Sequence, residues 1–122
     1  MLSRFPLGVK FMWLVTENGF FNIVQSDDDA DKGLLTIKGR RIEDLEKIKM
    51  LLGQHVASEI QTSYKNDYHF RIKADAAAVG DLVGHMVKSI NYNKTKPRLH
   101  RRHPDRAGIY LSVWEELANL QR

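Results

Sequence analysis

The chain contains no cysteine, which rules out both a disulfide framework and a metal site built from thiolates. It has only three prolines, and no apolar run approaches the roughly 18 residues that a membrane-spanning helix requires. The first dozen residues, MLSRFPLGVKFM, lack the long apolar stretch and small-residue cleavage site of a secretion signal. These absences predict a soluble protein with no membrane partner, and the cytoplasm is the default compartment.

Positive charge is concentrated in one segment. Residues 91–106, NYNKTKPRLHRRHPDR, carry six lysines or arginines against the single acid Asp105, a net charge of +5. The whole chain of 122 residues sums to only +4, so the remaining residues are together slightly acidic. Such local cationic density is typical of a site for a phosphate-bearing partner, and a solvated basic loop is the alternative.

Two apolar runs flank Asn18-Gly19 in FMWLVTENGFFNIVQ, which predicts a β-hairpin closed by a type I′ turn. Pairing Glu17 with Phe20 gives the sheet two apolar faces. One face holds Met12, Leu14, Phe21 and Ile23, and the other holds Trp13, Val15, Phe20, Asn22 and Val24. Both faces need cover, so we expect helices on one and more protein or a second subunit on the other.

Four aspartates follow the hairpin, at positions 27, 28, 29 and 31. A calcium loop that starts at Asp27 would need glycine at its sixth position and glutamate at its twelfth. Those positions hold Lys32 and Lys38. The segment is therefore predicted to be a solvated turn, without a metal site.

The remaining patterns predict a strand at 34–40, a helix at 41–52, a second hairpin at 58–73 and a helix that follows Asp75. A last helix follows Asp105. Gly80 and Gly84 share a helix face, where they either permit a close approach to a strand or symmetry mate or are tolerated surface glycines.

Together these elements predict the α+β class. The expected fold is a largely antiparallel sheet of two hairpins plus a further strand, packed by two to three α-helices. Residues 11–122 would form a single domain, preceded by an N-terminal extension at residues 1–10.

No catalytic motif stands out. The five histidines fall in no metal-binding spacing, and neither a phosphate-binding glycine loop nor a nucleophile elbow occurs. His55 and His69 also lack the following threonine or serine of two-histidine phosphodiesterases. We therefore expect a binding protein with no enzymatic activity and no cofactor.

Basic residues instead occur beside aromatic and amide residues. Arginine matches phosphate oxygens, aromatic rings stack on bases, and asparagine can read a base edge. The predicted ligand-binding and phosphate-binding residues are Lys38, Arg40, Arg71, Asn91, Tyr92, Asn93, Lys94, Arg98, Arg101, Arg102 and Arg106. Considered without the other basic residues, Arg71 and Lys73 are more simply explained as solvated side chains than as a binding site.

The succession WLVTENGFFNIVQ, LTIKGR, DYHFRI and INYNKTK, with VW in the last helix, resembles a family of short, mostly uncharacterised proteins of phages and bacteria. The layout is also similar to the Thoeris anti-defence sponges of phages, oligomeric proteins that trap cyclic nucleotide signals without cleaving them. That resemblance implies that Arg40, Arg71, Asn91, Tyr92 and Arg106 would surround a diphosphate and an adenine.

The leading hypothesis is a homo-oligomeric phage anti-defence protein that sequesters a small, phosphate-bearing cyclic nucleotide signal. The alternative is an anti-CRISPR-type or other nucleic-acid-binding protein whose basic loop contacts DNA, RNA or a nucleoprotein complex. A third possibility is an interaction subunit that docks on an acidic partner. The three differ in ligand, and the first two differ in how steeply salt should weaken binding.

Overall fold

The structure is a computed structural model that describes residues 11–90 and 104–121. Within these ranges it has five strands, namely β1 (Phe11–Thr16), β2 (Gly19–Val24), β3 (Leu34–Gly39), β4 (Gln61–Thr62) and β5 (Phe70–Asp75). The α-helices there are α1 (Asp27–Lys32), α2 (Ile42–Leu52), α3 (Ala76–Lys88) and α4 (Pro104–Leu117). Short 3-10 helices follow at Gly53–His55 and Ala118–Gln121. The predicted α+β class is confirmed.

The chain divides into two compact units, Met1–His85 and Met86–Arg122. The first contains the whole sheet, α1, α2 and most of α3, and the second contains the end of α3 and α4. The single domain expected for residues 11–122 stays a prediction. The predicted extension at residues 1–10 lies outside the described residues.

The sheet has the strand order β1-β2-β3-β5-β4, and every neighbouring pair is antiparallel. The first hairpin is confirmed, but Phe20 pairs with Val15 and not with Glu17. This shift of two residues equals the side-chain repeat of a strand, so each residue keeps its predicted face.

The predicted type I′ turn is wrong. Such a turn requires a positive φ at Asn18, and the described residues include no non-glycine residue with positive φ. The turn centres instead on Glu17 and Asn18. The hydroxyl of Thr16 accepts a hydrogen bond from the Asn18 N–H at 3.0 Å and donates one to the Gly19 carbonyl at 3.1 Å. Gly19 then takes the positive φ of 138° that returns the chain into β2.

The core lies on one side of the sheet. The sheet contributes Phe21, Ile37, Ile72 and Ala74, while α2 contributes Leu45, Ile48 and Leu52 and α3 contributes Val79. Each of these side chains is at most 4% exposed. They come from alternate strand positions and from one helix stripe, so α2 and α3 cover the face that carries Phe21 and Ile37.

The other elements were predicted with mixed success. The strand at 34–40 and the helix at 41–52 are confirmed, and the second hairpin exists but its first strand shrinks to Gln61–Thr62. The solvated turn at the aspartates is wrong, because residues 27–32 form α1 and Asp29 is fully buried. Apart from adjacent residues and the backbone of their own helix, no described atom lies within 4 Å of a Cβ placed at Gly80 or Gly84, so no described strand approaches them closely.

Candidate functional site

Five side chains form a line across the sheet on the side opposite the core. Trp13 pairs with Asn22, Asn22 with Lys38, Lys38 with Arg71, and Arg71 with Gln61. Directly opposed residues of neighbouring strands project from the same face, so all five project together. We call these five residues the transverse row, and the face that carries them the open face.

The middle of the transverse row is positively charged. Lys38 and Arg71 lie directly opposite each other, and neither side chain forms a hydrogen bond or ion pair with a described residue. Like charges in this position repel, since the Cβ atoms of opposed residues are about 5 Å apart. An anion bound between the two side chains would relieve that repulsion.

Asn22 stands between the cations and the indole of Trp13. Its Oδ1 atom is shielded from solvent and has no hydrogen-bond partner among the described residues. A shielded polar atom without a partner is costly in a folded protein. The amide therefore retains unused acceptor capacity at the centre of the open face.

Aromatic rings flank the row in an unbroken series. The Trp13 ring lies 6.0 Å from Phe11 and 6.0 Å from Phe20, and Phe20 lies 6.3 Å from Tyr68. Trp13 is 59% exposed, which is unusual for the largest apolar side chain. Exposed rings of this kind can stack on planar ligands.

Arg40 closes the series at the Tyr68 end. Its guanidinium carbon lies 4.4 Å from the centre of the Tyr68 ring, and its Nη1 donates to the Asp67 carbonyl at 3.0 Å. This cation–π contact holds the ring in place. The sequence placed Lys38 and Arg40 on one face, and the structure directs Arg40 to the aromatic series.

A buried polar cluster covers one end of the open face. Asp29 of α1 accepts a hydrogen bond from the Thr36 hydroxyl at 2.7 Å, from the Ser26 N–H at 3.2 Å and from the Lys73 ammonium. Burial alone would raise the pKa of Asp29, but these hydrogen bonds and the charge of Lys73 lower it to about 2. The charge of Lys73 is thus paired with a buried carboxylate, while no described residue forms an ion pair with Lys38 or Arg71.

Two cavities lined by described residues of the first unit suit phosphate poorly. The larger, about 460 Å³, lies between the sheet and α3 and is lined mainly by apolar residues such as Ile23, Leu35, Val79 and Val83. The smaller, about 250 Å³, includes the carboxyl groups of Asp75 and Asp81 beside His55 and His85. Neither cavity is lined by a lysine or arginine.

Metal clusters and membrane-spanning helices are both absent from the part of the chain that the structure describes. No group of three or more histidine, aspartate or glutamate side chains there could hold a metal ion. None of the helices formed by residues 11–90 and 104–121 is long and apolar enough to cross a membrane.

The structure brings together only part of the predicted site. Lys38 and Arg71 are neighbours on the open face, Arg40 packs on Tyr68, and Arg106 lies in the first turn of α4, where it is 4% exposed. The other predicted residues, Asn91, Tyr92, Asn93, Lys94, Arg98, Arg101 and Arg102, lie outside the described residues. Their roles stay predictions.

Sequence reasoning missed the aromatic part of the site. Trp13 and Phe20 were correctly assigned to one face, but they were expected to be covered by protein. The available signal was the polar Asn22 in an apolar strand, because an amide on a face that is meant to be buried argues against complete burial.

Comparison with known proteins leaves the open face as the main guide to function. No protein-family model, curated protein or solved structure matches this chain. The resemblances inferred from its sequence therefore stay predictions.

Proposed function

We propose that this protein binds single-stranded nucleic acid on its open face and performs no chemistry on it. The observation that carries the proposal is the transverse row, in which an exposed indole, two amides and two cations without described partners share one sheet face. Single-strand binding uses this combination of stacking rings and phosphate-binding cations. The basic segment at 91–106 would add to the attraction.

Each part of the row has a distinct role. A base stacks on Trp13, and a neighbouring base can use Phe20 and Tyr68, which continue the aromatic series. Lys38 and Arg71 bind the phosphate that joins the two nucleotides, which removes the repulsion between the two cations. The exposed amide of Gln61 supplies a donor and an acceptor for a base edge.

The shape of the site favours a single strand of nucleic acid over a free nucleotide. The row runs along a sheet, whereas pockets for small ligands are concave and bury most of the ligand surface. The two cavities described above are lined by no lysine or arginine. An extended ligand gains affinity from several weak stacking contacts in series, which a flat face can provide.

Fluorescence anisotropy with a labelled single-stranded oligonucleotide tests the proposal. Trp13→Ala should weaken binding by about 5-fold to 150-fold, because stacking on an aromatic ring contributes about 1–3 kcal/mol per base. Trp13→Phe should retain much of the affinity, since it keeps a ring. Equal affinity for all three proteins would exclude Trp13 from the site.

The cations are tested by a matched pair of charge removals. Lys38→Gln should weaken binding by about tenfold, the value of one charge-assisted hydrogen bond. Lys47→Gln removes the same charge from an exposed position of α2, the helix that packs on the opposite face, and should leave affinity nearly unchanged. Equal losses at the two positions would indicate a general charge effect instead of a site.

A second candidate is sequestration of a small cyclic nucleotide signal in a phage anti-defence role. It is favoured by the position of Lys38 directly opposite Arg71, since such a pair matches one diphosphate. Mass spectrometry of the supernatant from denatured, bacterially expressed protein separates the candidates. A discrete nucleotide in stoichiometric amount supports sequestration, and a nuclease-sensitive mixture supports strand binding.

Salt dependence gives an independent distinction. If only Lys38 and Arg71 contact phosphates, affinity for a single strand of nucleic acid should fall roughly 7-fold between 50 and 200 mM salt. A steeper fall would mean that the basic segment at 91–106 also contacts the strand. Affinity without salt dependence would contradict strand binding.

A further inference from the structure

We infer that the outer edge of β1 pairs with β1 of a second copy, so that two five-stranded sheets join into one sheet of ten strands. The inference starts from the position of β1, which has β2 on one side and no described strand on the other. It does not depend on the proposed ligand. It concerns an interaction surface and its partner, which is another copy of this chain.

The residues of β1 are those of a strand inside a sheet. The strand FMWLVT has no charge, no proline and no glycine, and it is apolar on both faces. Its residues Phe11, Met12, Trp13 and Val15 are 44–59% exposed. Natural edge strands usually carry charges, prolines or bulges that prevent pairing, so an unprotected apolar edge marks an interaction site.

The opposite edge of the sheet shows the usual protection. There β4 consists only of Gln61 and Thr62, which are polar and exposed. A strand of two residues offers too few backbone groups to recruit another chain. The two edges therefore differ, and only the β1 edge suits a partner strand.

The hydrogen bonds of β2 show which groups β1 directs outward. The Phe20 N–H donates to the Asp44 carboxylate at 3.1 Å, away from β1, so Phe20 and Val15 form a non-hydrogen-bonded pair. Val15 must then direct its own N–H and carbonyl away from β2. By alternation Trp13 and Phe11 do the same, which leaves three residues with outward backbone groups.

A second copy satisfies these groups with a matching strand. In a two-fold antiparallel pair, outward residues must face outward residues. An axis at Trp13 or at Leu14 meets this condition and includes Val15 in the pairing. Because that axis is perpendicular to the sheet, the open faces of both copies lie on the same side. The strand is uncharged, so self-pairing brings no like charges together.

Sedimentation velocity on the full chain tests the pairing without any ligand. The wild-type protein should sediment as a dimer of twice 14.1 kDa at tens of micromolar concentration. Val15→Pro removes one outward N–H, which an edge strand tolerates but a paired strand does not, and should shift the protein to monomer. Val15→Thr keeps both the branched side chain and the N–H and should remain a dimer.

A distance measurement keeps the test independent of how the proline variant folds. The chain has no cysteine, so Thr62→Cys accepts a single spin label on β4 without further changes. In a ten-stranded sheet the two labels lie nine strand spacings apart, about 40 Å. A monomeric wild type, a dimer that survives Val15→Pro, or a distance well below this value would overturn the inference.

Discussion

Replacing Asp29 with asparagine should lower the free energy of unfolding by about 2 kcal/mol at pH 7. The pKa of Asp29 falls from its ordinary value of 3.8 to about 2 in the folded protein. Each unit of difference between the folded and unfolded pKa corresponds to about 1.4 kcal/mol. The carboxylate is buried with Thr36, Ser26 and Lys73 as partners, so little of this energy is lost to solvent screening.

The sign of the pH dependence follows from the lowered pKa. A carboxylate with a depressed folded pKa stabilises the protein fully above its unfolded pKa, so the contribution of Asp29 is complete above about pH 5. It is lost as the pH falls through about 4 toward 2. At pH 3 about half of the contribution should be left.

Urea unfolding followed by circular dichroism between pH 7 and pH 2.5 measures this effect. The readout is the difference in unfolding free energy between wild type and Asp29→Asn, because the other carboxylates contribute equally to both proteins. Asp28→Asn is the matched control, since Asp28 lies in the same helix but has an exposed carboxylate 3.3 Å from Lys32. An exposed pair of this kind contributes at most about 0.5 kcal/mol. A difference that does not change with pH, or an equal loss at Asp28, would refute the reasoning.

Two further predictions concern stability. Gly39→Ala should destabilise the protein by about 1–3 kcal/mol, because a Cβ there would overlap Leu45 Cδ2 in the core. Gly80→Ala should instead be neutral or stabilise the protein by up to about 1 kcal/mol. Thermal unfolding of both variants checks this, and a stable Gly39→Ala would mean that Leu45 can move aside. Ser26→Ala should lower the free energy of unfolding by about 1 kcal/mol, because the Ser26 hydroxyl accepts a hydrogen bond from the Asp29 N–H at 3.1 Å in a capping box. An unchanged midpoint of urea unfolding would contradict that role.

Alternation and helix periodicity predicted most of the fold. The faces of β1 and β2 were correct although the register was shifted, because face depends only on whether a position is odd or even. Turn chemistry was less informative. Asn18-Gly19 has the composition of a type I′ turn, but the Thr16 hydroxyl stabilises a turn one residue earlier through two hydrogen bonds.

Features that depend on distant parts of the chain could not be predicted. In the sequence, Asp29 is indistinguishable from the three neighbouring aspartates that were predicted to be solvated. Its partner Lys73 lies 44 residues later, and only the folded sheet brings the two together. The site depends on the same kind of information. Lys38 and Arg71 are 33 positions apart in sequence, and their opposition requires the pairing of β3 with β5, which local patterns do not specify.

The carboxylate of Asp44 links the tip of the first hairpin to α2. It accepts the Phe20 N–H, and its oxygens and Cγ occupy the space where any side chain at Gly19 would be. Asp44 is only 4% exposed, so separating the hairpin from the helix would break a bond to a buried charge. The hairpin that carries Trp13 and Phe20 is thus anchored at its turn, where hairpins usually move most. Amide hydrogen exchange at Phe20 should accordingly be slow, and a ligand that stacks on these rings would meet a surface that loses little conformational entropy on binding.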